Sequence, residues 1–304
     1  MLDAVDAALI QELQLDGRAT FQTLGDRVGM SRTAVRARVR RLLDTGALRV
    51  VGVINAEVLG IGARALVSIG VEGPAAVLMG ELSRRDAVTF AALVAGRHAI
   101  VAEVRARDDG ELAAELDDIR LHARLRAMDV FRCVRVVKAG GGAAVPAALH
   151  AGLTLDDTDW RLMRELQRDG RAPYARLARF VGLSQAATRA RVVRLIEACA
   201  VQVTGVVDAA AAGTDESAGL GLRVRGDVAT CAEKIAGLVG TETVLTGYGR
   251  YDIVAVLNAE DRARLLNRIE TVRAVPEVRA AESWHHLAVS RPVRRSDTEA
   301  AASA

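Results

Sequence analysis

GMSRTAVRARVRRLLDTG, residues 29–46, places a glycine and a serine ahead of a segment in which arginine and aliphatic residues recur at helical spacing. Gly29 permits a tight turn, Ser31 is a favoured N-cap and Gly46 a favoured stop, so the spacing predicts a helix between them. Val35, Val39 and Leu42 fall on one face and must turn inward. Arg32, Thr33, Arg36 and Arg40 then occupy the outer face, with no acid between 31 and 43. Arginine donates two bonds at once to phosphate or guanine, so this face suits double-stranded DNA. Ser31 and Arg41 complete the candidate contacts. Arg38 and its counterpart Arg191 stay open between a phosphate contact and pairing with an acid of the first helix.

Upstream, Phe21, Leu24 and Val28 predict a second short helix. Leu9 and Leu13, following Asp6, predict a first helix that ends near Asp16 and Gly17. Two helices joined by a short glycine-containing turn have the geometry of a helix-turn-helix.

The whole plan then recurs. Displaced by 153 residues the chain aligns with itself without a gap, Leu155 lying over Leu2 and Gly249 and Arg250 over Gly96 and Arg97. GLSQAATRARVVRLIE, residues 182–197, is the second copy of the opening segment. Ser184, Gln185, Arg189 and Arg194 are its candidate DNA contacts, with Ala186 and Val193 at the other outer positions. Two reading positions thus lose charge, so either the two helices prefer different sequences or the second mainly adds phosphate affinity.

After each helix-turn-helix, strands and helices alternate as βαββαβ. The first set is expected at 65–71, 75–83, 88–94, 100–106, 111–125 and 130–138, the second at 219–224, 228–238, 242–246, 253–257, 261–272 and 278–289. This order fits a ferredoxin-like sandwich with both helices on one sheet face, and the other face needs a partner that duplication supplies. The fold class is α+β: two winged or three-helix helix-turn-helix domains (1–53 and 153–207) alternate with two ferredoxin-like regulatory domains (62–138 and 217–290). A small, nearly uncharged linker (139–152) and a disordered tail (291–304), whose Arg291, Arg294 and Arg295 add only nonspecific phosphate affinity, complete the chain.

Composition is consistent with that plan. The 304 residues suffice for two to four domains. Hydrophobic residues make up 51% and aromatic ones 3%, so the cores are aliphatic and no surface for stacking single-stranded bases is available. Lys+Arg 41 against Asp+Glu 38 gives +3, which says less than where the arginines lie. Cys133, Cys199 and Cys231 have no paired spacing, which argues against a disulfide framework and fits a reducing, cytoplasmic setting. The acidic N-terminal segment is unlike a signal peptide, and no apolar run reaches the roughly 18 residues of a membrane span.

These segments resemble the Lrp/AsnC family of bacterial and archaeal regulators: 2–18 its first helix, 29–42 and 182–195 its turn and recognition helix, and the βαββαβ unit its regulatory (RAM) domain. The resemblance implies regulatory domains that pair through their sheets and assemble further, here a pseudo-dimeric chain forming a dimer or tetramer. It also implies a small effector, often an amino acid, bound between subunits. The family's effector turn, a glycine pair followed by aspartate, matches TGYGRYDIVAV with Gly247, Gly249 and Asp252, and Tyr248, Arg250 and Tyr251 lie within the turn. Its backbone N–H groups suit a carboxylate and Asp252 an ammonium, the two ends of a zwitterion. The first copy keeps Gly96 and Arg97 but has Val94 and Ala99 in place of Gly247 and Asp252, leaving the second copy as the candidate sensor.

No P-loop, nucleophile elbow or zinc motif is present. His285 and His286 are adjacent on an expected strand and so point to opposite faces, and His98 and His122 lack evident ligand partners. No metal, cofactor or enzymatic activity is therefore expected. Two alternatives stand beside the regulator: a fused, Lrp-like sirohaem decarboxylase, for which the sequence shows no matched cluster of His, Tyr and Arg, and a metabolite-binding module without specific DNA binding.

Overall fold

The computed structural model describes residues 3–139, 150, 152–207 and 216–290. The chain divides into two compact units, residues 1–59 with 138–215 and residues 60–137 with 216–304. Most of the expected linker and all of the expected tail lie outside the described residues.

The first unit holds both helix-turn-helix segments. The first comprises α1 (Ala4–Leu15), α2 (Phe21–Val28) and α3 (Arg32–Asp44). Asp3 begins α1 by a reciprocal capping box with Asp6, and Ser31 caps α3 by accepting from the Ala34 amide. Between α2 and α3 the chain reverses at Gly29, whose φ of 69° is one a side chain seldom adopts. Leu9, Leu13, Leu24, Val35, Val39 and Leu42 close the core. The second segment repeats this in α6 (Asp157–Arg168), α7 (Tyr174–Val181) and α8 (Gln185–Glu197), around Leu162, Leu166, Leu177, Val192 and Leu195.

Each segment ends in a strand that the helical spacing does not announce, β1 (Leu48–Ile54) and β6 (Val201–Val207). The two pair antiparallel with each other, Val51 facing Thr204. These residues hold the same place in the two copies, so an approximate twofold axis runs between them. The strands also interlock the copies: β1 packs on α6 and β6 on α1. A methyl group on Gly52 would stand 3.0 Å from the Leu166 carbonyl carbon, and one on Gly205 3.2 Å from that of Leu13.

The second unit holds the two βαββαβ segments. The first runs β2 (Ala63–Val71), α4 (Ala75–Leu82), β3 (Val88–Ala95), β4 (Ile100–Ala106), α5 (Asp109–Arg120) and β5 (Leu125–Lys138). The second runs β7 (Glu216–Val224), α9 (Val228–Ala236), β8 (Thr241–Tyr248), β9 (Ile253–Ala259), α10 (Arg262–Arg273) and β10 (Val278–Ser290). The expectation of a helix over 111–125 is corrected: α5 stops at Arg120, Leu121 is 83% exposed, and Leu125 already pairs with Val71. Leu121 and Leu125 mimic helical spacing, but the chain turns between them.

The two sheets do more than stack. They close into one barrel in the order β10-β3-β4-β2-β5-β8-β9-β7, because each copy's last strand bonds both its own sheet and the other's. Aliphatic cores lie around Ile69, Leu78 and Ile119 in one copy and Leu220, Ile235 and Val272 in the other. A third cluster, with Phe131, Cys133, Val254 and Trp284, draws on both sheets. Among the described residues no helix is long and apolar enough to cross a membrane.

Candidate nucleic-acid interface and effector turns

The acids of the first turn sort the arginines of α3. Asp6 is fully buried. It accepts from Arg38 Nη1 at 3.0 Å and Arg41 Nη2 at 2.5 Å, while Arg38 also reaches Asp3 at 2.5 Å. The second copy repeats the arrangement: Arg191 binds Asp156 and Asp159 at 2.7 and 3.0 Å, and Arg194 binds Asp159. The Arg38 bond holds the Asp3 carboxyl below its usual value, and the Asp3 and Asp6 bonds raise Arg38. A buried carboxylate needs such donors, so Arg38 and Arg191 take the structural one of their two readings.

Arg41 and Arg194, expected as DNA contacts, have their guanidiniums on Asp6 and Asp159 while their side chains stay 54% and 46% exposed. By contrast Arg32, Thr33 and Arg36 of α3 and Gln185, Ala186 and Arg189 of α8 are exposed, and Arg32, Arg36 and Arg189 form no ion pair among the described residues. Among the described residues Arg40 pairs only with Asp44, at 3.8 Å, and its side chain is 75% exposed. Ser31 and Ser184 spend their hydroxyls on caps.

The expected effector turns lie on the barrel's paired edges. A methyl on Gly247 would stand 2.1 Å from the Arg132 carbonyl oxygen and one on Gly249 2.3 Å from that of Val130, so these glycines let the second copy's turn lie against β5 of the first. Gly96 is likewise pressed against Trp284 of β10. The Asp252 carboxylate, expected to meet an ammonium group, takes Arg223 Nη1 at 2.8 Å and the Val224 amide at 3.0 Å within the chain. Tyr248 is exposed.

Both turns, not the second alone, meet one polar cluster. Asp129 Oδ2 lies 3.4 Å from His98 Nε2 and 4.0 Å from Nε of both Arg97 and Arg250. Arg250 also binds Glu282, at 2.9 and 3.1 Å. Burial drives the His98 ring below its usual value, against the pull of Asp129. Burial pushes the Tyr251 hydroxyl up to about 12. Burial would raise Glu282, but the Arg250 and Tyr251 bonds bring it below the usual carboxylate range. The sequence carried a signal for this cluster: the 153-residue shift lays Glu282 over Asp129 and Tyr251 over His98. The expectation that no cluster of His, Tyr and Arg is assembled is thereby corrected. His285 meets Glu216 at 3.0 Å and His286 meets Ser217 at 2.9 Å. No group of three metal-ligating side chains occurs among the described residues.

Comparison with known proteins follows the same division. The AsnC-type helix-turn-helix domain matches residues 2–43 and 155–196. An uncharacterized HTH-type transcriptional regulator of Pyrococcus abyssi is 34% identical over 39% of this chain and 81% of its own length. The HTH-type transcriptional regulator LrpA of Mycobacterium tuberculosis is 35% identical over 41% of this chain and 85% of its own. Over 95% of its length the chain has the fold of the siroheme decarboxylase NirDL. Aligned with that enzyme in co-complex with an iron-uroporphyrin III analogue, it shows a TM-score of 0.62 and 14% identity, covering 95% of this chain and 93% of the other. The expectation that the chain is not an enzyme is therefore corrected, because this four-segment architecture is also that of a decarboxylase. By the two matched helix-turn-helix domains and the 34% and 35% identity over 81% and 85% of two regulators' lengths, the chain belongs to the Lrp/AsnC family of transcription regulators.

Proposed function

We propose that the chain regulates transcription by docking the outer faces of α3 and α8 on double-stranded DNA, with a small effector of amino-acid type acting at the barrel's turns. One observation carries the DNA reading. In both copies the inner arginines are tied to buried acids, whereas Arg32, Arg36 and Arg189 stand exposed and form no ion pair among the described residues. An unpaired guanidinium on a helix face costs nothing to redirect to phosphate or a guanine edge. The effector reading rests on Arg97 of one turn and Arg250 of the other meeting at Asp129. An effector shifts assembly, here self-association of pseudo-dimeric chains, only by its differential affinity for the states. Replacing Arg32 and Arg36 by alanine is expected to lower affinity for a selected duplex and flatten its salt dependence. Unchanged affinity and slope in a fluorescence-anisotropy titration would refute the assignment.

A second reading, an enzyme acting on a tetrapyrrole, is favoured by the cluster of Arg97, His98, Arg250 and Tyr251 within a fold shared with a siroheme decarboxylase. Titration with iron-uroporphyrin III separates the two. A saturable shift of its absorbance that Arg97→Ala and Arg250→Ala abolish supports the enzyme, and an additive spectrum excludes it.

A further inference from the structure

We propose that the operator is directional: an inverted pair of unequal half-sites, rich in guanine under α3 and in A·T under α8, with Gln185, Ala186 and Val193 setting the difference. The inference rests on the DNA-binding reading above and adds which bases each helix takes.

The geometry supplies the inversion. β1 and β6 pair antiparallel about Val51 and Thr204, and Arg18 and Arg171 reach across to the other copy's backbone. The helix-turn-helix segments are thus held in one unit by an approximate twofold axis, and two inverted half-sites match such an axis. The side chains then break it. Arg32, Thr33, Arg36 and Arg40 on α3 correspond to Gln185, Ala186, Arg189 and Val193 on α8. Arg36 and Arg189 agree, so one guanine is expected at equivalent places in both halves. The other three differ in kind. Arg32 presents a fork to guanine O6 and N7, whereas Gln185 matches adenine N6 and N7. Thr33 donates and accepts, whereas the Ala186 methyl offers only apolar contact of the sort that suits a thymine methyl. Arg40 brings a charge to the backbone, and Val193, half-buried, brings none.

Both heads belong to one covalent chain, so the unlike helices cannot be exchanged for a matched pair by reassorting subunits. Replacing the guanine under Arg32 by adenine is expected to weaken binding roughly 5- to 100-fold, while the same exchange at the equivalent place under Gln185 favours the adenine.

The test is selection of bound duplexes from a random library by the full chain, repeated with the triple variant Gln185→Arg, Ala186→Thr, Val193→Arg. The wild type is expected to enrich a non-palindromic site, and the triple variant a near-palindrome with guanine-rich halves. The reciprocal variant Arg32→Gln, Thr33→Ala should enrich A·T in both halves, and it touches only exposed positions if the half-buried Val193 change impairs folding. A palindrome selected by the wild type overturns the inference while leaving DNA reading intact, as does a motif unmoved by both variants. Salt-dependent binding with no enriched sequence overturns the specific-reading premise itself.

Discussion

Arg18 and Arg171 occupy the same position in the two copies, and each guanidinium donates to the backbone of the copy it does not belong to. Arg18 Nη2 lies 3.1 Å from the Ala172 carbonyl, and Arg171 reaches the Gly17 and Ala19 carbonyls at 2.9 and 3.0 Å. Each also lies over an aromatic ring of the facing copy, Arg18 at 4.8 Å from Tyr174 and Arg171 at 5.0 Å from Phe21. Burial depresses the Arg171 guanidinium, with Arg18 adding to the effect, so the carbonyls compensate a desolvated charge. Arg171→Ala is expected to lower the stability of the helix-turn-helix unit by about 2 kcal/mol, measured by urea unfolding. A change within error would show the reciprocal bonds to be incidental.

Asp6 makes a second demand on the same unit. It lies beneath α3 with two guanidiniums upon it and supports the capping box of α1. Removing its carboxylate leaves Arg41 without its acid, leaves Arg38 only Asp3, and breaks the Asp6 half of the capping box. Asp6→Ala should therefore cost about 2–3 kcal/mol, and Asp159→Ala should cost the same within about 0.5 kcal/mol, because the second copy repeats the geometry.

The barrel carries an acid-sensitive element on β4. Burial would raise the Glu103 carboxyl, but Arg105 and Arg64, with the Thr89 hydroxyl, bring it below its ordinary value of 4.5. Such a group stabilises the fold fully above about pH 4.5, and its contribution disappears as pH falls through the lower folded-state value. The melting temperature is expected to drop below pH 4.5. In Glu103→Gln that drop should be shallower, with reduced stability at neutral pH; parallel curves for the two proteins would count against it.

At Gly219 the ring of Trp284 lies flat against β7, and an added methyl would stand 2.1 Å from Trp284 Nε1. Trp284 is only 6% exposed and belongs to the cluster shared by both sheets, so the ring has no ready escape. Gly219→Ala should destabilise the barrel by about 1–3 kcal/mol and alter the near-ultraviolet dichroism of this buried tryptophan. Retention of both signals would mean that the ring rotates freely.

Local patterns were legible in the sequence where the physics is local. Ser31, Gly29 and the inward triad of Val35, Val39 and Leu42 are set by neighbours within a turn or two, and the structure has them as the spacing predicts. What depended on partners far along the chain was hidden. LRVVGVI at 48–54 lacks the alternation of a half-buried strand, and its pairing partner lies in the other copy. Asp252 looked unpaired because Arg223, which binds it, stands on a different strand. The pairing of Arg41 did not show, because helical spacing counts faces but cannot see the buried acid beneath one of them. Closure of the barrel was hidden for the same reason, since β5 and β10 each serve two sheets.

Val51 facing Thr204 has a consequence for how such a protein changes over generations. In a homodimer every substitution in a reading helix is felt twice, so each new preference must suit both halves of the site at once. Here the two halves of the axis are encoded separately, and Val51 and Thr204 are already unlike. On the proposed DNA reading, a change in α8 alters one half-site and leaves the other as it was. If the two helices read the unequal half-sites proposed above, each target site can be gained or lost by single steps that a symmetric protein would have to take in pairs.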